Sequence, residues 1–298
     1  MDRLQSLRVF VAVAEAESFA GGARAVGLSA PSATRGVGDL ETALGARLFS
    51  RTTRSVRLTE VGRAYLEEVR DILERLQVAD DAASGAAERP VGKLRITCPQ
   101  EFGRLHVAPL VADYLDAHEG VSAEVLMVDR VVNLIEEGID VAVRIGPLPS
   151  SDLTALKVGT VRRVVCGAPG YLDAQGTPEV PRDLARHKLI ATPTDTASGI
   201  WRFGPDEAQA VKVAPRLAMT SVAAAIHVAR QGWGLTRALS YQVAEDIEAG
   251  NLRTVLDAYE PAALPVHLVH VEGRRAAAKV RSFLDFAAAR LRQVGQLG

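Results

Sequence analysis

The amino-acid sequence predicts an α/β protein in three parts: an all-α N-terminal winged helix-turn-helix domain, a long linker helix and a C-terminal α/β domain. Two short helix patterns joined by a glycine-containing turn predict the first part. An apolar repeat in steps of four and three predicts the second. An alternation of strand and helix patterns from residue 92 onward predicts the third. We expect the three parts to span residues 1–59, 60–90 and 91–298.

The helix-turn-helix is predicted from residues that favour helix ends. Ser18 is suited to cap a helix that begins at Phe19, and Gly27 is suited to the left-handed residue that ends it. Ser29 then caps a second helix, whose first turn tolerates Pro31 because that position needs no helical amide. A first amphipathic helix supplies the core beneath this pair through Leu4, Leu7, Val11 and Ala14.

Residues 45–59 follow the second helix and predict a two-stranded wing with arginines at intervals. Hydroxyl and guanidinium groups suit phosphates and base edges, and wing arginines suit the backbone or the minor groove. Residues 1–60 hold eight arginines and six acidic residues, a net charge of +2 in a chain whose net charge is −1. The candidate DNA-contacting residues are Ser29, Pro31, Ser32, Thr34, Arg35, Arg51, Thr53 and Arg54.

Four glycines weaken the two helices of this motif. Gly36 and Gly38 each cost the second helix about 1 kcal/mol relative to Ala, and they leave fewer side chains for base reading. Gly21 and Gly22 weaken the preceding helix in the same way, which close packing between helices would explain.

Residues 60–83 predict a long helix with a heptad seam. Such a seam packs either against the chain's own second domain or against a second copy of the helix, because it is longer than a small winged domain can cover. Residues 82–90 are small, polar and interrupted by Gly and Pro, and they predict a domain boundary. The seam residues are Tyr65, Val69, Ile72, Leu76, Ala79 and Ala83.

The C-terminal domain reads as strands and helices in alternation, which predicts a parallel sheet with right-handed crossovers. The predicted strands are residues 93–97, 121–128, 140–144, 153–158, 161–166, 188–191, 235–238 and 265–271. The predicted helices are residues 102–118, 131–137, 181–187, 221–231, 241–249 and 276–291.

Ligands of open α/β sheets bind beyond the carboxyl ends of strands, where helix N-termini point. This rule selects the loops at residues 98–102, 144–147, 192–194 and 220–222. Arg144 pairs there with either a ligand carboxylate or an internal acidic residue, and Ser221 either binds an anion or simply caps its helix. The candidate ligand-contacting residues are Pro99, Gln100, Glu101, Phe102, Arg144, Gly146, Thr192, Ser221 and Arg237.

The N-terminal residues resemble those of LysR-type transcriptional regulators. The matching motifs are Leu28-Ser29-Ala30-Pro31-Ser32-Ala33-Thr34-Arg35, Leu40-Glu41, Leu44-Gly45, Arg47-Leu48-Phe49, Arg51, Arg57-Leu58-Thr59 and Gly62. The resemblance continues to about residue 292 through Ile139–Gly146, Ala229–Leu235 and Lys279–Phe286.

The resemblance implies a sequence-specific regulator that binds double-stranded DNA and is controlled by a small-molecule effector. It implies a C-terminal domain like a periplasmic binding protein, with lobe I at about residues 91–163 and 266–298, lobe II at about 164–265, and the effector between them. It favours dimerisation through the linker helix, giving a homodimer or homotetramer. Arg237 stands where the family more often has an uncharged residue, which favours an acidic effector.

Other function classes find little support in the sequence. GxSxG, P-loop and GxGxxG motifs are absent, so we expect no enzyme and no cofactor. His267 and His270 are three apart in a predicted strand and face opposite sides, which does not make a metal pair. Two widely spaced cysteines indicate reduced thiols, and no signal peptide or membrane span is predicted, so we expect a cytoplasmic protein. The alternatives are a regulator without effector response and a cytoplasmic solute-binding protein.

Overall fold

The computed structural model describes residues 1–51, 56–84, 89–148, 153–192, 199–271 and 276–297. The chain forms two compact units, Met1–Arg89 and Pro90–Gly298. None of the helices within the described ranges has both the length and the apolar character needed to cross a bilayer.

The N-terminal unit is a winged helix-turn-helix followed by a long helix, as predicted. Its helices are α1 (Arg3–Ala16), α2 (Phe19–Ala25), α3 (Ala30–Leu44) and α4 (Glu60–Ser84). The wing strands β1 (Phe49–Arg51) and β2 (Val56–Leu58) pair antiparallel, with Phe49 opposite Leu58.

Side-chain caps define the helix-turn-helix, and they confirm the predicted helix ends. The Ser18 hydroxyl accepts a hydrogen bond from the Gly21 N–H at 3.2 Å, and the Ser29 hydroxyl accepts one from the Ser32 N–H at 3.3 Å. Gly27 lies between the two helices with a φ of +68°, a left-handed conformation that favours glycine.

The helices of the N-terminal unit enclose one apolar core. Its most buried side chains are Val9, Phe10, Val13, Ala33, Val37 and Leu48. The Phe10 ring meets the Phe49 ring edge-on at 5.4 Å between centroids, which joins α1 to the wing. A Cβ added at Gly22 would lie 2.5 Å from the backbone N and Cα of Val13, so the close approach of α1 and α2 requires glycine there.

The first half of the predicted heptad seam on α4 packs inside this same unit. Val69 is buried, and Tyr65 and Leu73 pack against the core. The expectation that the small winged domain leaves the seam uncovered is therefore wrong for Tyr65 and Val69. Ile72 behaves differently, because 51% of its surface is exposed.

The described residues of the C-terminal unit form two five-stranded sheets and one hairpin. The strands are β3 (Gly92–Cys98), β4 (Val121–Met127), β5 (Val141–Ile145), β6 (Thr154–Val161), β7 (Arg163–Gly167), β8 (Leu189–Ala191), β9 (Ile200–Phe203), β10 (Gln209–Lys212), β11 (Leu217–Ala218), β12 (Leu235–Leu239), β13 (Arg253–Val255) and β14 (Leu264–His270). The first sheet has the order β4-β3-β5-β14-β6, the second has the order β11-β8-β12-β7-β13, and β9 pairs with β10.

Helices cover the faces of both sheets. They are α5 (Gln100–Phe102), which continues through a π-helical segment (Gly103–Val107) into α6 (Ala108–Ala117), then α7 (Pro169–Gln175), α8 (Val222–Arg230), α9 (Ser240–Glu248) and α10 (Ala278–Leu291). Short 3₁₀ segments occupy Pro181–Arg186, Asp257–Tyr259 and Gly295–Leu297. The helix predicted at residues 181–187 is the 3₁₀ segment Pro181–Arg186.

Both sheets are mixed, whereas the sequence pattern predicted parallel pairing. In the first sheet β3 runs parallel to β4 and β5, but β14 runs antiparallel to β5 and β6. In the second sheet β12 runs parallel to β8 and antiparallel to β7. The cause is that the chain leaves the first sheet directly from β6 into β7, and it returns only with β14.

Residues 134–138 form a turn and residues 131–133 are irregular, so the prediction of a helix at Val131–Glu137 is wrong. The Asn133 side-chain oxygen accepts hydrogen bonds from the N–H groups of Ile135 and Glu136, at 3.2 and 3.5 Å. This local bonding competes with helical bonding. Gly138 then ends the turn with a φ of +61°.

Candidate functional site

The first turns of α3 present the predicted DNA-contacting residues at the surface. Arg35 is exposed, and among the described residues it has neither an ion-pair nor a hydrogen-bond partner. The Ser29 and Ser32 hydroxyls lie 2.8 Å apart, and the Thr34 hydroxyl donates to the Ala30 carbonyl at 2.9 Å. The Thr34 hydroxyl proton is therefore used within α3, and a DNA-contacting role for these residues stays a prediction.

Two side chains tie the wing to its neighbouring helices through backbone groups. The Glu41 carboxylate of α3 accepts hydrogen bonds from the N–H groups of Leu48 and Phe49, at 2.8 and 3.1 Å. The Thr59 hydroxyl donates to the Arg47 carbonyl at 2.7 Å and accepts from the Gly62 N–H of α4 at 2.9 Å. Neither side chain was given a structural role from the sequence, because the partners are backbone groups.

Three wing residues stay predictions. Arg51 lies in β1, but its side chain lies outside the described residues, as do Thr53 and Arg54. Arg57 in β2 is exposed.

The C-terminal unit contains a cavity of about 1100 Å³ whose wall draws on both sheets. Four predicted residues lie in this wall: Pro99, Arg144, Thr192 and Arg237. Three of them sit at or just beyond strand ends, where the rule for α/β sheets placed them.

Five other predicted ligand-contacting residues lie outside the described part of the wall. The structure shows a different contact or role for each. Phe102 is buried, with its ring 5.3 Å from that of Tyr241. The Gly146 N–H donates to Pro265, and its φ of +112° shapes the turn after β5. Ser221 caps α8 by accepting a hydrogen bond from the Ala224 N–H at 3.2 Å, as its simpler interpretation required.

Gln100 and Glu101 are likewise engaged elsewhere. The Gln100 N–H donates to the Asp129 carboxylate at 3.0 Å, and the Glu101 carboxylate pairs with Arg104 at 2.9 Å. The Gln100 contact is made by its backbone N–H at the start of α5, whereas the Glu101 contact is made by its carboxylate. A ligand-contacting role for these two residues stays a prediction.

Four arginines and Asp129 are the charged groups in the described part of the wall. Arg130 pairs with Glu137, and Arg163 pairs with Glu207, each at 2.8 Å. The Arg237 guanidinium lies 5.0 Å from the centre of the Trp201 ring. The cavity is therefore electropositive, although three of its arginines already have contacts with other side chains.

Arg144 differs from the other three arginines. Its guanidinium donates a hydrogen bond to the Val132 carbonyl at 2.6 Å, and the described residues offer it no carboxylate. Partial burial lowers the pKa of Arg144 from its usual value. The interpretation of Arg144 as half of an internal salt bridge is not supported by this geometry.

An apolar loop in the wall was missed by the sequence analysis. Val131 is 86% exposed and Ile135 is 68% exposed, and both line the cavity. The sequence predicted only a helix over these residues, with no ligand-contacting role for Val131 or Ile135. The signal that could have found them is the Asn133–Gly138 segment, which favours a turn.

Neither cysteine is placed for redox chemistry. Cys98 and Cys166 are both buried and free, and burial raises the pKa of each thiol to about 12. Thiols in such surroundings are poor nucleophiles. Among the described residues, no group of three His, Cys, Asp or Glu side chains is arranged to hold a metal ion.

Two family models match the two units of the chain. The model of the bacterial regulatory helix-turn-helix protein, lysR family, matches residues 4–63. The model of the LysR substrate binding domain matches residues 87–292.

Related proteins match over nearly the whole chain. An uncharacterized HTH-type transcriptional regulator of Haemophilus influenzae is 30% identical over 94% of this chain and 98% of its own length. The HTH-type transcriptional regulator YhjC of Escherichia coli is 31% identical over 97% of both chains. The solved structure of CrgA, a LysR-type transcriptional regulator from Neisseria meningitidis, is 27% identical, with a TM-score of 0.62 over 96% of this chain and 98% of that one. These relatives are transcriptional regulators, not enzymes, and the chain belongs to the LysR family of bacterial transcriptional regulators.

Proposed function

We propose that this LysR-type regulator binds operator DNA as a homo-oligomer whose affinity is set by a small molecule in the cavity of the C-terminal unit. The observation that carries the proposal is the cavity of about 1100 Å³, because its wall combines residues from both sheets. A ligand there contacts both sheets at once. A change in their relative arrangement would then couple ligand binding to DNA binding.

The DNA-contacting residues of the proposal lie on α3 and the wing. Ser32 and Arg35 reach base edges in the major groove, and Arg51 and Arg54 act on phosphates or in the minor groove. The exposed Arg35 and the anchoring of the wing by Glu41 support this division. The protein would act in the cytoplasm, where its DNA target lies.

The oligomer is proposed to form through α4. This helix is 25 residues long, and Ile72 exposes half of its apolar surface midway along it. Two reading helices on one dimer bind paired half-sites with a large gain in effective concentration. A homodimer and a homotetramer both satisfy this requirement.

Selection of bound fragments from the source genome tests the proposal. Full-length protein is mixed with sheared genomic DNA, and the retained fragments are sequenced and then titrated singly. We expect a shared inverted repeat, tight binding to it, and a change of affinity when the correct small molecule is added. Retention of random fragments without a shared motif would overturn the proposal.

A further inference from the structure

We infer that the cavity binds an organic anion with an apolar body, such that Arg144 receives the anionic head and Val131 and Ile135 cover the body. The inference rests on the proposed function, since it names the chemical class of the effector for the same cavity. It is based on the different contacts that the arginines of the wall make and on the exposed apolar side chains of the loop.

Arg144 is the arginine in the wall that is prepared for an anion. Its one hydrogen bond within the described residues uses a single N–H of the five that a guanidinium offers. The group is partly buried, so the protein itself already removes part of the water around it. A carboxylate restores the missing charge partner through charge-assisted hydrogen bonds, which a neutral ligand does not provide.

The neighbouring arginines are less available as receptors. Arg130 forms two hydrogen bonds to Glu137, at 2.8 and 2.9 Å, and Arg163 forms one to Glu207 at 2.8 Å. A ligand that recruited either arginine would have to displace a carboxylate. The wall is thus suited to one anionic head rather than to several, which favours a monocarboxylate over a polyphosphate.

The loop at residues 131–135 supplies an apolar surface beside this arginine. Val132 and Leu134 point into the core and are buried, whereas Val131 and Ile135 remain 86% and 68% exposed. Both exposed side chains line the cavity. Large aliphatic groups left in water at a cavity wall favour a ligand that covers them, and a polyhydroxylated ligand would lose hydration there without compensation.

One backbone group links the two features. The Val132 carbonyl, between Val131 and the rest of the loop, is the acceptor that holds the Arg144 guanidinium. The Arg144 guanidinium, which receives the anionic head, and the apolar surface of the loop are therefore adjacent. A ligand with a carboxylate a few bonds from an alkyl or aryl group spans both.

The test is isothermal titration of the full-length protein with matched small-molecule probes. The probes are hexanoate, hexanamide and acetate, and benzoate with benzamide. We expect the apolar acids to bind at least about tenfold more tightly than the amides, which lack the charge, and than acetate, which lacks the body. Each added CH₂ in the acid series should raise affinity by roughly threefold to fourfold.

Variants assign the effects to residues. Arg144→Gln should abolish the preference for hexanoate over hexanamide. Arg104→Gln removes a surface arginine that pairs with Glu101 away from the cavity wall, and it should leave that preference intact. Ile135→Ser should weaken hexanoate by about threefold to tenfold and acetate hardly at all.

The inference would be overturned by equal binding of acids and amides, by an acid preference that survives Arg144→Gln, or by no binding of any apolar acid. A change in sedimentation of Ile135→Ser without a change in hexanoate affinity would also overturn it, since the loop would then contact another copy. Operator binding is measured on the same samples. If a neutral or hydrophilic molecule controls operator binding, the proposed regulator function is supported and the inference of an apolar acid as ligand is refuted. If acids bind in an Arg144-dependent way but never alter the affinity for DNA, the inferred ligand class is supported and the proposed function is refuted.

Discussion

The carboxylate of Glu41, near the end of α3, accepts a hydrogen bond of 2.8 Å from the backbone N–H of Leu48. The same oxygen accepts a second bond from Phe49 at 3.1 Å. The recognition helix α3 and the first wing strand are therefore positioned together. The proposal that arginines of α3 and of the wing contact one stretch of duplex depends on this link.

Replacement of Glu41 tests this link. Glu41→Ala should lower the free energy of unfolding by about 1.5–3 kcal/mol, because two backbone donors lose an ionised acceptor. Glu41→Gln keeps a neutral oxygen in place and should cost less. Urea unfolding of the full-length protein measures both, and equal stability of Glu41→Ala and the parent would show that the two bonds do not matter.

Two glycines of the helix-turn-helix should respond in opposite directions to alanine. Gly22→Ala places a Cβ 2.5 Å from the Val13 backbone, which should cost about 1–3 kcal/mol despite the better helix propensity. An added Cβ at Gly38 meets nothing within 4 Å, so Gly38→Ala should stabilise α3 by up to about 1 kcal/mol. Thermal unfolding measures the stability of both variants. If Gly22→Ala were more stable than Gly38→Ala, the explanation of Gly22 by close packing of α1 and α2 would be refuted.

Arg35 and Arg54 should differ in how they affect DNA binding. Arg35→Ala should weaken operator binding by about 1–3 kcal/mol and reduce the difference in affinity between operator and random DNA. Arg54→Ala should lower affinity for all sequences and flatten the dependence on salt. Anisotropy titrations over a salt series separate the two outcomes, and an unaltered operator preference in Arg35→Ala would remove its role in base reading.

The exposed Ile72 gives a test of self-association. Ile72→Glu places a charge on the apolar face of α4 and should convert the oligomer to monomers. Val61→Glu changes a side chain that is 54% exposed at the start of the same helix, and it should leave the oligomer intact. Sedimentation velocity reports both masses. Monomers in the parent protein, or an unchanged mass in Ile72→Glu, would contradict dimerisation through α4.

His106 should make the C-terminal unit less stable in acid. Its ring lies 4.8 Å from Phe102 and 5.6 Å from Tyr241, and burial lowers its pKa below the usual value. The unfolded chain thus binds a proton more readily than the folded one, so stability is lost as pH falls through about 6.5. Chemical unfolding at pH 7 and pH 5 should show a smaller loss for His106→Phe than for the parent, and identical losses would exclude His106 as a source.

The helix-turn-helix could be predicted from sequence because its boundaries depend on local chemistry. Ser18 and Ser29 bond to amides three residues away, and Gly27 adopts a conformation that few other residues tolerate. These effects act within one turn of helix and are visible in a short window. The tight contact at Gly22 was indicated by the same window, although its partner Val13 required the structure.

The sheets and the cavity could be predicted only in outline. Strand positions follow from local apolar runs, but the antiparallel partner of β5 comes from β14, more than a hundred residues later. Residues of the wall such as Val131 and Tyr241 are brought together by that topology. The rule for strand ends selected Pro99 and Thr192, which lie in the wall. It also selected Glu101 and Phe102, which belong to α5 and are not among the described residues of the wall.

The most direct test of the central claim is an anisotropy titration of the full-length protein on a genomic fragment that it selects, beside a scrambled fragment. Salt is varied from about 50 to 200 mM, a range over which phosphate contacts lose affinity steeply. The account predicts tight, salt-sensitive binding to the selected fragment alone, and a shift in that affinity when a cavity ligand is added. Equal affinity for both fragments, unaffected by any ligand that binds the C-terminal unit, would contradict it.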